Sequence, residues 1–131
     1  MKINYPSLSD ERFTEVLLSF LSSLRPHKQR LSNTETIYLA EFINLAPKYR
    51  SQMFSTLSKR KVIVSLKSKG LTASTSNINV KLYTLIKKGY LKRDEDSVIV
   101  LLPSLTRLLD TFKQDNKLNF ILNFTRDKEE N

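Results

Sequence analysis

The stretch that decides the fold covers residues 58–102 and reads SKRKVIVSLKSKGLTASTSNINVKLYTLIKKGYLKRDEDSVIVLL. Apolar residues recur at helical spacing over residues 59–69 and again over residues 75–88, which predicts two helices. Gly70 and Gly89 directly follow these segments, and glycine ends a helix readily because it adopts the left-handed conformation without a Cβ penalty. We therefore expect two helices joined by a short turn that begins at Gly70.

A β-hairpin is predicted directly after the second glycine. Residues 90–93 and 97–102 read as two strands, and the β-branched run from Val98 to Val100 is typical of a buried strand. The acidic residues 94–96 form the connection between the strands. The order helix, turn, helix and hairpin is the pattern from which the rest of the chain is interpreted.

Positive charge is concentrated in the same part of the chain. Residues 42–93 contain twelve Lys and Arg and no Asp or Glu, whereas residues 1–41 have five of each sign. Residues 94–131 carry five basic and eight acidic side chains, so one block supplies the whole net charge of +9. Such a field attracts a polyanion. The alternative is a basic face that serves solubility alone, although solubility is better served by mixed signs.

Composition predicts one globular domain over residues 1–131. The chain is 40% hydrophobic and 27% charged, which is typical of a folded protein. No apolar run approaches the roughly 18 residues of a membrane helix, and the first residues lack the apolar core of a signal peptide. We therefore expect a cytoplasmic protein. The absence of Cys excludes disulfides, thiolate metal sites and Cys nucleophiles.

The N-terminal region predicts an amphipathic helix over residues 8–25, capped by Ser7 or Ser9 and ended by Pro26. We expect this helix either to pack on the core or to form a dimer seam. Its apolar stripe consists of Phe13, Val16, Leu17, Phe20, Leu21 and Leu24.

Two further helices are predicted before the decisive stretch. Ser32 and Glu35 have the spacing of a capping box, which begins a helix that continues to about Leu45. We expect one face of this helix to be buried, through Ile37, Leu39 or Ala40, Phe42 or Ile43, and Ala46. Residues 48–57 predict a short helix with Met53 and Phe54 in the core. Ser58 and Ser74 are the predicted N-cap residues of the helices that follow.

The C-terminal region predicts a helix from Pro103 to about residue 115. Its apolar side is formed by Leu105, Leu108, Leu109 and Phe112. Apolar and polar residues then alternate over 118–124, which predicts a strand that completes a sheet or pairs with another chain. Residues 126–131 form a charged tail. The predicted fold class is therefore mostly α with a small β-hairpin (α+β).

The run STSNINVKLYTLIKKGYL, residues 74–91, resembles the recognition helix and following strand of winged helix-turn-helix domains, with a layout like that of MarR regulators. Ile78, Leu82, Leu85 and Gly89 occupy the positions that are apolar or glycine in those domains. The resemblance implies a winged helix-turn-helix core over residues 32–102, with an extra N-terminal helix and a C-terminal helix and strand over 103–125. It also implies that the hairpin is a wing.

The resemblance implies double-stranded DNA as the partner, with helix 75–88 in the major groove. We expect Asn77 and Asn79 to pair with adenine edges, and the basic side chains to contact phosphate. The full expected DNA-binding set is Lys59, Arg60, Lys61, Lys69, Ser74, Thr75, Ser76, Asn77, Asn79, Lys81, Lys87, Lys88, Lys92 and Arg93. The positive block starts near Lys48 and Arg50, so we expect their segment to join the binding face. The acidic connection at 94–96 is expected either to point away from DNA or to meet a basic partner.

These features predict a regulator of transcription or replication that is not an enzyme. When it is bound to DNA, it is expected to be associated with the nucleoid. A monomer and a homodimer are both left open. The sequence suggests no cofactor, metal or catalytic group, and the lone histidine, His27, is expected on the surface. The alternative is a winged-helix adaptor or structural component of a larger assembly, for example a phage or replication complex. RNA binding ranks last because the basic block is poor in the aromatic residues that stack on single strands.

Overall fold

The structure is a computed structural model and describes residues 10–115. Five α-helices and a two-stranded antiparallel sheet account for most of this range. In chain order they are α1 (Asp10–Ser23), α2 (Asn33–Ile43), α3 (Thr56–Ser68), α4 (Thr75–Lys88), β1 (Leu91–Arg93), β2 (Ile99–Leu101) and α5 (Pro103–Asp115). Short 3₁₀ helices lie in two connections, at His27–Gln29 and Pro47–Gln52. The predicted mostly helical α+β class is confirmed.

Helix α2 is the centre of the molecule, since it packs against α1, α3 and α4. It begins as predicted: Ser32 accepts from the Glu35 backbone N–H, and the Glu35 carboxylate accepts from the Ser32 N–H at 2.8 Å. The expectation of one buried face is wrong, because neighbours on several sides bury nearly the whole helix from Glu35 to Ile43. Ala46, which was expected in the core, lies beyond the helix and is exposed.

Helix α1 ends at Ser23, two residues before the predicted end, and is buried along a different line. Leu17 and Leu18 are both fully buried, although the predicted stripe contains only the first. Leu24 belongs to that predicted stripe but is 69% exposed, because α1 ends at Ser23 and the backbone turns before Leu24. The end of α1 therefore keeps Leu24 out of the core.

The start of α3 differs from the prediction. Ser55, not Ser58, is the N-cap, and its hydroxyl accepts from the Ser58 backbone N–H. Ser58 is fully buried and its hydroxyl donates to the carbonyl of Gln52 at 2.7 Å. The predicted helix over 48–57 is instead a 3₁₀ helix that ends at Gln52, and Leu57 belongs to α3 and is exposed.

Helices α3 and α4 end in the same way, each followed by the glycine that was predicted to stop it. Gly70 and Gly89 have φ values of +79° and +85°. Around each glycine the two backbone bonds of a Schellman motif form, with Leu71 N–H bonded to the Leu66 carbonyl at 3.0 Å in α3. The equivalent bond in α4 joins Tyr90 N–H to the Leu85 carbonyl, also at 3.0 Å. The chain therefore leaves both helices through matching turns.

The hairpin has a short, regular register in which Leu91 faces Leu101 and Arg93 faces Ile99. β2 is shorter and less buried than predicted, and Val98 is exposed at the turn. The Asp94 carboxylate accepts backbone N–H bonds from Asp96 and Val98, both at 2.9 Å. Asp94 therefore shapes the turn itself, in addition to adding negative charge to the tip.

Several expectations lie outside the described residues: the α1 caps at Ser7 or Ser9, the strand over 118–124 and the tail over 126–131. The Phe112 side chain, expected on the apolar side of α5, also lies outside the described part. Leu105 and Leu109 of the same helix are buried as predicted.

Within residues 10–115, none of the helices has the length and apolar character needed to cross a bilayer.

Candidate nucleic-acid interface

Helix α4 has one buried face and one exposed face, as its sequence predicts. Ile78, Leu82 and Leu85 are at most 2% exposed and point into the core. Residues three and four apart lie on the same face of a helix. By this spacing, four residues form a line on the side of α4 that faces away from the core. We call it the outward face of α4; it consists of Ser76, Val80, Tyr83 and Lys87, all of them exposed.

The N-terminus of α4 is capped by the predicted residue. Ser74 accepts from the Asn77 backbone N–H at 3.2 Å, so its hydroxyl already has a structural function. Thr75 and Ser76 are exposed in the first turn. The Asn77 carboxamide is exposed beside the outward face and has no hydrogen-bond partner among residues 10–115.

The other asparagine of α4 is already engaged. The Lys59 ammonium at the start of α3 donates to Asn79 Oδ1 at 2.9 Å. The structure thus brings together two predicted site residues from different helices. Because an amide that pairs with an adenine edge must both accept and donate, an adenine amino group would have to share Oδ1 of Asn79 with the Lys59 ammonium.

The remaining basic residues of the two helices differ in exposure. Arg60 and Lys61 of α3 are exposed, and Lys81 of α4 is half-buried. Lys87 lies over the ring of Tyr83, with its ammonium 4.7 Å from the ring centre. This cation–π contact holds a positive charge on the outward face.

Two predicted DNA-binding lysines form ion pairs with the central helix. The Lys88 ammonium contacts Glu35 Oε1 at 2.5 Å and also donates to the Arg30 carbonyl at 2.9 Å. Lys69 contacts Glu41. Both carboxylates belong to α2 and are almost completely buried. A phosphate contact by either lysine would compete with its ion pair, so the structure gives these two lysines a folding function.

The two carboxylates respond differently to burial. Burial raises the pKa of Glu35, but the Lys88 ammonium and the Ser32 N–H stabilise the charged form more strongly, and the net pKa lies below its ordinary value. Burial is also the largest effect on Glu41; it raises the pKa above the ordinary value, and the hydrogen bond from the Ser65 hydroxyl only partly opposes it.

A third contact from α2 fixes the turn between α3 and α4. The Tyr38 hydroxyl donates to the carbonyl of Thr72 at 3.0 Å. Together with the ion pairs to Lys69 and Lys88, it ties α2 to the end of α3, to the turn and to the end of α4. The position of the outward face of α4 therefore depends on α2.

The predicted wing residues Lys92 and Arg93 are exposed on β1. Arg93 donates to the Ser97 carbonyl at 3.1 Å, across its own hairpin. Tyr90, just before β1, is buried; its hydroxyl donates to the Gln29 carbonyl, and the Arg25 guanidinium lies 4.5 Å above its ring. These contacts anchor the base of the hairpin to the end of α1 and the connection after it.

The segment with Lys48 and Arg50, expected to join the binding face, engages both of these cations in other contacts. Lys48 lies over the ring of Tyr49 at 5.2 Å, and Arg50 forms an exposed ion pair of 3.7 Å with Asp110 of α5. The lone histidine, His27, is exposed as predicted.

The sequence-based site omits Val80 and Tyr83, which are 64% and 58% exposed in the middle of the outward face. Apolar residues on helices usually pack in the core, so a sequence pattern gives Val80 no place in a binding surface. The sequence nevertheless indicates that Val80 is exposed, because Val80 does not share the helical face of Ile78, Leu82 and Leu85.

No family model matches this chain, and the comparisons with curated proteins and with solved structures likewise found no match.

Proposed function

We propose that this chain is a non-enzymatic protein that binds double-stranded DNA through α4. The observation that carries the proposal is the outward face of α4, which is exposed and combines hydrogen-bonding side chains with a cation. Neither α3 nor α4 contains an acidic residue. A duplex offers a dense line of phosphates beside base edges, and such a helix surface complements both.

The arrangement of elements supports a winged helix-turn-helix reading. Helices α2, α3 and α4 all contact one another, and the hairpin packs on α4 through β1. In this reading α4 is the recognition helix and the hairpin is the wing. A regulator of transcription or replication in the cytoplasm, acting alone or as a homodimer, is the role that this architecture fits best.

The residues divide into two groups by the chemistry they offer. Ser76 and Asn77 lie in the N-terminal half of α4, which is the part that reaches base edges in helix-turn-helix proteins, whereas Asn79 is already bonded to Lys59. The exposed and half-buried cations then contact phosphate: Lys59, Arg60, Lys61, Lys81, Lys87, Lys92 and Arg93. Lys69 and Lys88 are left out of the phosphate group because their ammonium groups neutralise buried carboxylates.

The test is a titration of random-sequence duplex DNA at several salt concentrations. With about five phosphate contacts, log K should fall with log salt at a slope of about −4.5. The double variant Lys61→Glu/Lys87→Glu should bind at least about tenfold more weakly, because both side chains are exposed and each charge reversal converts an attraction into a repulsion.

A matched control makes the same change of net charge elsewhere. Lys28→Glu/Arg107→Glu alters two exposed cations outside residues 42–93 and should keep most of the affinity. Absence of duplex binding at low salt, or equal losses in the two double variants, would exclude the proposed interface.

A second candidate is a protein–protein adaptor within a larger assembly. It is favoured by apolar side chains that are exposed on the two helices, namely Leu57, Val64, Val80 and Tyr83. An adaptor is expected to show little duplex affinity even at low salt, so the same titration separates the two functions.

A further inference from the structure

The side chain of Val80 lies at the centre of the outward face, and no packing contact within residues 10–115 accounts for a valine there. It is 64% exposed and is not part of the hydrophobic core or of the partly buried side chains packed against it. Valine is also a weak helix former, because its branched side chain is restricted in a helix. Its neighbours along the face are a serine, a tyrosine and a lysine. Val80 is therefore an apolar contact point within a polar, basic surface.

We infer that Val80 recognises the C5-methyl group of thymine, an inference that rests on the proposed function. Among the four bases, thymine alone presents a methyl group in the major groove, where the other base edges present hydrogen-bond donors and acceptors. An isopropyl group can form no hydrogen bond but complements a methyl group by apolar contact. The outward face thus gains selectivity for base pairs that contain thymine.

Asn77 strengthens the inference, because it lies three residues before Val80. Three residues span about 4.5 Å along a helix, and successive base pairs are about 3.4 Å apart, so the two side chains are close enough to contact the same or adjacent base pairs. The Asn77 carboxamide has no partner among residues 10–115 and can both donate and accept, as a bidentate contact with adenine requires. An A·T pair presents both an adenine edge, which fits Asn77, and a thymine methyl group, which fits Val80.

Asn79 does not offer the same recognition. Its Oδ1 already accepts from Lys59, so the adenine N6 amino group would have to compete with an ammonium for that oxygen. The expected reading unit on α4 is therefore Asn77 with Val80, and Asn79 together with Lys59 is directed to an acceptor such as phosphate.

The experiment compares an alternating A·T duplex with the same duplex in which uracil replaces thymine, a change that removes only the methyl groups. The full chain should bind the uracil duplex about fourfold more weakly for each methyl group that Val80 touches in the thymine duplex. Val80→Ala should show a clearly smaller preference for the thymine duplex, because the truncation removes two of the methyl groups that reach it. Val64→Ala, which truncates a valine of similar exposure on α3, should keep the preference for thymine.

A second comparison restores the methyl group in another context. A G·C duplex with 5-methylcytosine carries a methyl group at the matching major-groove position. Wild-type protein should prefer it over unmodified G·C, and Val80→Ala should show a smaller preference.

The outcomes separate this inference from the proposed function. Equal binding of thymine and uracil duplexes by wild-type protein overturns the role of Val80 and leaves duplex binding intact. Loss of the preference in Val64→Ala as well also overturns the assignment to Val80. Failure to bind any duplex at low salt overturns the proposed function and, with it, this inference.

Discussion

Glu35 of α2 shows how one residue links three parts of the chain. Its carboxylate accepts the Ser32 N–H that begins α2, and it also pairs with the Lys88 ammonium at the end of α4. The two partners differ in exposure, since the side chain of Glu35 is 5% exposed and that of Lys88 is 23% exposed. If the pair is broken, water can therefore solvate the lysine but not the acid.

This difference predicts unequal effects on stability. Lys88→Met keeps the aliphatic stem but leaves a buried carboxylate without its cation, and we expect it to lower the free energy of unfolding by about 2–3 kcal/mol. Glu35→Gln can still accept from Ser32 and lets Lys88 turn to solvent, so a loss of about 1 kcal/mol is expected. Urea unfolding measures both. The control is Lys87→Met, one residue earlier and exposed, and a loss in this variant as large as that in Lys88→Met would contradict this explanation.

Acid should remove the contribution of Glu35. Its pKa is lower in the folded chain than the ordinary value of 4.5, so the charged form stabilises the fold above that pH. As pH falls from 4.5 through the folded pKa, the carboxylate is protonated and this stabilisation is lost. The difference in unfolding free energy between wild type and Glu35→Gln should therefore shrink on acidification below pH 4.5. A difference that grows in the same range would show that the pKa is raised instead.

At the scale of elements, α3 and α4 end with matching turns, and each contributes a terminal lysine that reaches α2. The short sequences Lys69-Gly70-Leu71 and Lys88-Gly89-Tyr90 perform the same three tasks. The lysine pairs with a buried acid, the glycine takes a positive φ, and the third residue closes the turn by its N–H. The surroundings of the two glycines differ, which makes them a useful pair for mutation.

Alanine at the two glycines should give different losses of stability. Both positions have positive φ, so each substitution should cost about 1–2 kcal/mol in backbone strain. A Cβ at Gly70 meets open space, whereas one at Gly89 would lie 2.9 Å from Nη2 of Arg25. Moving that guanidinium away from Tyr90 should cost Gly89→Ala about 0.5–1 kcal/mol more. In an Arg25→Ala background the additional loss caused by Gly89→Ala should vanish, and an additional loss that persists there would point to another cause. Chemical denaturation of Gly70→Ala, Gly89→Ala, Arg25→Ala and the double variant Arg25→Ala/Gly89→Ala gives the free energies of unfolding.

At the scale of the whole molecule, the predictable part is the order of elements from 58 to 102. It follows from local features, the Ile78, Leu82 and Leu85 stripe and the two glycine stops, which need no knowledge of distant residues. The predicted start of α3 is wrong because Ser55 and Ser58 both fit a cap, and only the packing of the Ser58 hydroxyl on Gln52 distinguishes them.

Contacts between distant segments are beyond prediction from local patterns. Lys69 and Lys88 belong to the predicted DNA surface because the sequence between 42 and 93 has no acid. Their partners, Glu41 and Glu35, come from a preceding helix 28 and 53 residues away. Two of the twelve cations of the basic block are thereby paired with buried carboxylates of α2. The DNA-binding site itself remains a prediction, now focused on the outward face of α4 and the cations around it.

The ion pairs between α2 and the two terminal lysines also limit the order in which mutations can accumulate. In each pair the acid is the more buried partner. A lineage that first lost the lysine would pass through a protein with an unpaired buried carboxylate, whereas one that first lost the acid would keep a lysine able to reach water. We therefore expect neutral drift to replace Glu35 or Glu41 before Lys88 or Lys69, and a lysine released in this way would add its charge to the outer surface of the protein.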